Sequence, residues 1–168
     1  DSDNFQSSRV WARGCVVHEL CRKPAALPAF SDYFEENGLI GISGVDTRSL
    51  TISIREHGTI RAALITDSDD GPAAVEMARK APDITTENLI PAVSCNKPYQ
   101  IPGNGPVVAI IDLGVKKNII RSLHKRGTDL HIFPHDSPAD EILSVRPDAL
   151  FITNGPGDPV MARDTISS

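Results

Sequence analysis

Between residues 107 and 153 the apolar positions form short continuous runs that alternate with stretches of helical spacing. Val107-Val108-Ala109-Ile110-Ile111 is unbroken and stops at Asp112, the pattern of a strand buried on both faces of a parallel sheet. Lys116 to Arg126 follows as a helix, with Ile119, Ile120 and Leu123 on one face and Gly127 beyond its end. Asp129 to Phe133 reads as a second strand and Pro138 to Val145 as a second helix with Ile142 and Val145 inward. Ala149 to Thr153 is the third strand. This β-α-β-α-β series predicts the first half of a doubly wound, flavodoxin-like or Rossmann-like sheet. Its third strand would lack neighbours, so the sequence is expected to be a segment of a longer polypeptide.

The preceding part is less regular. Val10 to Val17 reads as a strand, Ser31 as the cap of a short helix over Asp32 to Asn37, and Leu39 to Ser43 as a second strand. Asp46 or Thr47 starts a helix through His57, with Leu50, Ile54 and His57 at helical spacing and Gly58 as its cap. Thr59 to Thr66 is expected to return as a strand, and Ala73 to Lys80 as a helix after a turn at Asp69-Asp70-Gly71-Pro72. Alternating elements of this kind predict a mixed α/β domain. From residue 91 to 106, Pro91, Pro98, Pro102, Gly103, Gly105 and Pro106 break the periodicity. The expected layout is thus a domain over 1–90, a linker over 91–106 and a second domain over 107–168.

Composition narrows the function classes. Hydrophobic residues are 40% of the chain and charged residues 23%, enough apolar matter for packed cores. Lys and Arg number 17 against 22 Asp and Glu, a net charge of −5 with no basic block, which argues against nucleic acid or an anionic membrane surface as partner. No apolar run approaches the roughly 20 residues that span a bilayer, and Asp1-Ser2-Asp3-Asn4 has no signal-peptide character. A cytoplasmic location is expected. Cys15, Cys21 and Cys95 leave one thiol over in any disulfide scheme, consistent with a reducing compartment. His131 and His135 stand four apart, but Pro134 between them argues against a shared helix face, and no metal site is expected.

The candidate chemistry lies in Thr153-Asn154-Gly155-Pro156-Gly157-Asp158-Pro159, directly after the third strand. Open α/β sheets bind their ligands at the carboxyl ends of the strands. Two glycines around a proline can aim backbone N–H groups outward with no side chain in the way, ready for a carboxylate or an oxyanion. The same residues also make a simple strand-to-helix turn. Asp112-Leu113-Gly114-Val115-Lys116-Lys117-Asn118, after the first strand, faces the same side. It has neither G-x-G-x-x-G nor a phosphate-binding G-x-x-x-x-G-K-[ST], so nothing there points to a nucleotide. An Asp at this strand end with Lys117 nearby is also similar to phospho-acceptor receiver domains, although the third strand ends in Thr153-Asn154 where such domains need other chemistry.

Together and in this order, these stretches resemble the small, glutamine-hydrolysing chains of carbamoyl-phosphate synthetases. Gly44-Val45-Asp46-Thr47-Arg48-Ser49-Leu50-Thr51, followed by Ile54-Arg55-Glu56-His57-Gly58, is similar to that family's G-[IV]-D-T-R-x-L-T…[IL]-R-[ED]-x-G signature. Val107 to Asn118, Arg126-Gly127 and Asn154 to Pro159 are similar to the opening of its class I glutamine amidotransferase domain. The resemblance implies an α/β fold: a swivelling β/β/α amino-terminal domain, then the first half of a flavodoxin-like amidotransferase sheet. It implies L-glutamine as substrate, contacted at Gly155 and Gly157, and a large synthetase chain as partner. It also implies that ATP and magnesium act on that partner, with no cofactor in this chain. The family's catalytic cysteine, in a G-x-C-x-G elbow, and its downstream His and Glu have no matching positions here, so no catalytic residue is expected within the 168 residues. Cys15, in Arg13-Gly14-Cys15-Val16-Val17, reads as a buried core thiol. A non-catalytic docking domain and the receiver domain are the alternatives.

Overall fold

The computed structural model describes residues 5–25 and 29–167. Contacts divide the chain into two units, residues 9–83 and residues 84–167 together with 5–8.

In the first unit, β1 (Gly14–Val16) pairs in parallel with β2 (Ile40–Ile42). Between them lies α1 (Phe30–Glu36), which begins after Ala29, two residues earlier than a Ser31 cap would place it. Ser31 Oγ instead donates to Asp32 Oδ1 at 3.2 Å. Helix α2 (Thr47–His57) starts where Asp46 accepts from Ser49 N–H (3.0 Å) and from Ser49 Oγ (2.8 Å). These bonds satisfy an otherwise orphaned first-turn N–H and hold the Asp46 carboxyl below its usual range. Gly58 ends the helix at φ +81°, its N–H donating to Ile54 O. Asp70 caps α3 (Gly71–Lys80) in the same way through Ala73 N–H. Residues 59–66 do not form the expected strand. The described ladder of this unit consists of β1 and β2 alone, so the run has no partner. Its apolar character serves side-chain packing, as where Leu64 lies against Gly14.

The second unit is a four-stranded sheet in the order β3-β5-β4-β6, where β3 is Tyr99–Ile101, β4 Val107–Asp112, β5 Asp129–Pro134 and β6 Ala149–Ile152. The last three are mutually parallel and β3 is antiparallel to β5. Alternate residues of β4 feed two cores. Ala109 and Ile111 join Phe133 and Ile90 on one face, while Val108 and Ile110 join Leu130 and Ile132 on the other. Helix α5 (Lys117–His124) covers the second face with Ile120 and Leu123, and α6 (Ala139–Ser144) covers the first with Ile142. Opposite faces follow from right-handed crossovers, because β4 to β5 steps one way and β5 to β6 steps back across β4.

Residues 91–106, expected as a linker, belong to this unit and carry structure. Pro91 sits in the first turn of α4 (Ile90–Val93), where a missing N–H costs nothing. Gly103 and Gly105 pass so close to the backbone of Gly127 and Thr128 that a side chain at either would collide, and Gly105 N–H donates to Gly127 O at 2.7 Å. The glycines read as punctuation are there for close packing. Strand β6 pairs only with β4 among the described residues, and Leu150 and Ile152 are more than half exposed. No described helix is long and apolar enough to cross a membrane.

Ile110 is fully buried, so Ile110→Ala should lower unfolding stability by about 2–5 kcal/mol. Leu143→Ala, at an exposed position, should change it by less than about 0.5 kcal/mol. Parallel urea titrations of the two variants check the contrast.

Candidate functional site

The order β5-β4-β6 means that the chain leaves β4 in one direction and returns on its other side, opening a crevice between the carboxyl ends of β4 and β6. The two loops picked out in the sequence, 112–116 and 153–158, border it.

Asp112 closes β4 and is almost fully buried. Its Oδ1 accepts from Gly114 N–H (2.9 Å) and Val115 N–H (2.8 Å), and its Oδ2 from Cys95 N–H (2.8 Å). This carboxylate is a fixed element of the loop, with its lone pairs engaged by backbone. It is not the exposed carboxylate that a receiver's phospho-acceptor needs, and that alternative is not favoured. The Cys95 thiol beside it is pushed up to about 11, first by burial and then by the Asp112 charge.

Thr153 directly follows β6 with 3% of its surface exposed, and its Oγ1 accepts from Leu113 N–H at 2.9 Å. Gly155 comes next to the same residue: a Cβ at Gly155 would stand 2.7 Å from Leu113 O. Gly157 has φ +77°, a conformation that side chains disfavour. Asp158 caps the turn Pro159–Met161, its Oδ1 accepting from Val160 N–H at 2.9 Å. The turn is therefore shaped by its letters. Pro156 has no N–H, and among the described residues nothing accepts from the N–H of Gly155 or Gly157. Both glycines are exposed.

The other singled-out residues lie elsewhere. Cys15 is in β1 of the first unit, half-buried rather than enclosed, on the wall of an apolar cavity with Val17, Phe30 and Phe34. Asp46 and Gly58 bound α2. His131 Nε2 lies 3.6 Å from Asp129 Oδ2, and no group of three or more potential metal ligands gathers among the described residues.

A family model described as carbamoyl-phosphate synthase small chain, CPSase domain, matches residues 1–64, and one described as glutamine amidotransferase class-I matches residues 109–167. The carbamoyl phosphate synthase small chain of Methanosarcina mazei is 48% identical over 99% of this chain and 48% of its own length. That of Methanosarcina acetivorans is 47% identical with the same coverage, and that of Caldanaerobacter subterraneus subsp. tengcongensis is 38% identical over 97% of this chain. The chain belongs to the carbamoyl-phosphate synthase small-chain family. It spans about half the length of the curated relatives it matches. The two matched regions hold the two motifs of the sequence, G-V-D-T-R-S-L-T in the first and N-G-P-G-D-P in the second. The parallel sheet of the second unit is accordingly of the glutamine amidotransferase type.

The internal bonds of Asp112 and Thr153 were not legible as such. An Asp at a strand end and a Thr three residues upstream of Pro156 are compatible with many roles, and only the folded juxtaposition pairs Thr153 with Leu113, 40 residues earlier.

With its pKa about 11, the Cys95 thiol is thiolate in roughly one molecule per thousand at pH 8. Iodoacetamide should then modify exposed Cys21 well ahead of Cys95, whose rate should keep climbing to about pH 11. Asp112→Asn, by removing the neighbouring charge, should bring that rise to lower pH. Peptide mapping by mass spectrometry reads each site; equal rates at pH 8 would show that burial and Asp112 do not act on the thiol.

Proposed function

We propose that the chain contributes to the glutamine-hydrolysing small chain of a carbamoyl-phosphate synthetase, with Gly155 and Gly157 as its contacts to L-glutamine. The observation that carries this reading is a pair of exposed glycines, their backbone N–H groups without a protein acceptor among the described residues, on one turn at the strand-order reversal of an amidotransferase-type sheet. Donors fixed in place before the substrate arrives cost no reorganisation when charge develops. They suit both the carboxylate of a bound amino acid and the oxyanion formed when a thiolate attacks its side-chain amide.

In this reading a cysteine forms a thioester with glutamine, and the released ammonia passes to a large synthetase chain. There ATP, magnesium and bicarbonate complete carbamoyl phosphate for arginine and pyrimidine synthesis in the cytoplasm. No cofactor is assigned to the 168 residues themselves. Residues 1–90 would supply most of an amino-terminal domain of the swivelling β/β/α type, and residues 107–168 the opening of the glutaminase domain. The first unit offers a surface for the large chain. None of the described residues of 9–83 is fully buried, and Trp11, Ile42, Ile52, Val75 and Met77 are each more than 40% exposed. So much uncovered apolar area marks a surface that another chain covers.

Two experiments test the reading. The 168-residue chain alone should release no ammonia from excess glutamine, because backbone donors stabilise only charge that a nucleophile has first generated. Turnover abolished by Cys15→Ser would reassign Cys15 as nucleophile; turnover that survives it would overturn the assignment of the nucleophile to another part of the protein. Mixed with the large chain at about micromolar concentration, the chain should co-elute in size-exclusion chromatography. Separate elution would remove residues 9–83 as the docking surface.

A further inference from the structure

The two glycines of the turn are not placed by the turn alone. Leu113, on the opposite side of the crevice, is nearly fully buried, and its backbone meets this segment at both its N–H and its carbonyl. Its N–H donates to Thr153 Oγ1 at 2.9 Å, and its carbonyl oxygen stands where a Cβ of Gly155 would be only 2.7 Å away. One residue further, a Cβ at Gly114 would lie 3.6 Å from Pro156 Cδ. The backbone of 113–114 is thus the floor on which 155–156 rests. Asp112 keeps that floor in place by accepting the next two N–H groups of the same loop and by linking it to Cys95 N–H. All of these bonds lie inside one unit, and neither the Thr153 hydroxyl nor the Asp112 carboxylate is exposed enough to meet a ligand.

We propose that Thr153, with Asp112 behind it, is a positioning residue that sets where the N–H groups of Gly155 and Gly157 point, and so tunes glutamine binding from beneath the site. The inference rests on the assignment of the two glycines as glutamine contacts. Among the described residues the Thr153 hydroxyl makes the side-chain bond that ties the end of β6 to the loop after β4, so its loss frees the floor and the turn to shift against each other. A misplacement well under 1 Å suffices to weaken a pair of aligned hydrogen bonds several-fold.

The test is a Thr153→Val and Thr153→Ser pair. Val keeps the shape and removes the acceptor; Ser keeps the acceptor. In the 168-residue chain labelled with 15N-glycine, the amide signals of Gly155 and Gly157 should move in Thr153→Val and return toward wild type in Thr153→Ser, while those of Gly58 and Gly71 stay fixed. Unmoved Gly155 and Gly157 signals would overturn the positioning role whatever the protein's activity. In the full-length gene product with its large chain, Thr153→Val should raise KM for glutamine about tenfold with little loss of kcat, and Thr153→Ser should restore it to within about twofold. A merely structural role would lower the yield of active enzyme and leave KM unchanged, and that result would also overturn the inference. If Thr153→Val does not fold, Thr153→Ala carries both measurements, its smaller side chain leaving space for a water at Leu113 N–H. If the glycine signals respond to Thr153 but the full-length wild-type gene product with its large chain does not hydrolyse glutamine, the functional assignment is refuted instead, and the tuning of glutamine binding with it.

Discussion

Burial of β4 on both faces is the constraint from which the second unit follows. Five apolar residues in sequence cannot lie on a half-exposed sheet without presenting two or three of them to water, so helices must cover both sides. With right-handed crossovers, helices reach both sides only if the chain steps from β4 in one direction and later returns across it. That return separates the loops after β4 and β6 and leaves a crevice between their ends. The place of the candidate site is thus a consequence of how Val107 to Ile111 are buried, before any site residue is considered.

The first unit is organised by different means. Its elements are set by local signals: Asp46 and Asp70 accept first-turn N–H groups, Pro72 sits in a first turn, and Gly58 supplies a positive φ. Such signals fix where a helix begins and ends without saying what its apolar face will meet. Leu50 and Ile54, on one face of α2, and Ile52 on the other remain more than a third exposed, so neither face has a fully buried core of its own. The described ladder has two short strands and side-chain caps start α2 and α3, so local signals rather than a shared buried core set the bounds of these elements.

This difference decides what was legible in the sequence. Where continuous runs and helical spacing imply burial, as in β4, β5, α5 and α6, elements appear within a residue or two of their expected bounds. Where a run is apolar without a described partner strand, as over 59–66, β-like composition predicts a strand that the described ladders do not include, since a ladder needs a second backbone. Proline and glycine misled over 91–106 because the same letters serve loose linkers and tight crossings. What separates the cases is the neighbouring backbone, Gly127 and Thr128, which lies more than 20 residues away in sequence. The Asp112 and Thr153 bonds were hidden for the same reason: each joins segments that only the sheet brings together.

The glycines of N-G-P-G-D-P show why a motif can be read correctly and still leave its role open. Gly155 is required by the approach of Leu113 O and Gly157 by its φ, so both would be needed in a turn that binds nothing. Asp158 likewise satisfies the N–H of the next short turn. Structural necessity therefore accounts for three letters of the motif and cannot by itself distinguish a site from a bend. The distinction lies in what the turn leaves unused. A bend made only to reverse the chain gains by bonding its own N–H groups, since each donor left without a partner gives up a favourable bond. Here Gly155 and Gly157 are exposed and their N–H groups, like those of Asn154 and Asp158, have no described protein acceptor, while Val160 in the next turn and Leu113, Gly114 and Val115 in the loop after β4 are engaged. Those unused donors at the carboxyl end of the sheet are what the proposed contact to a ligand's oxygen draws on.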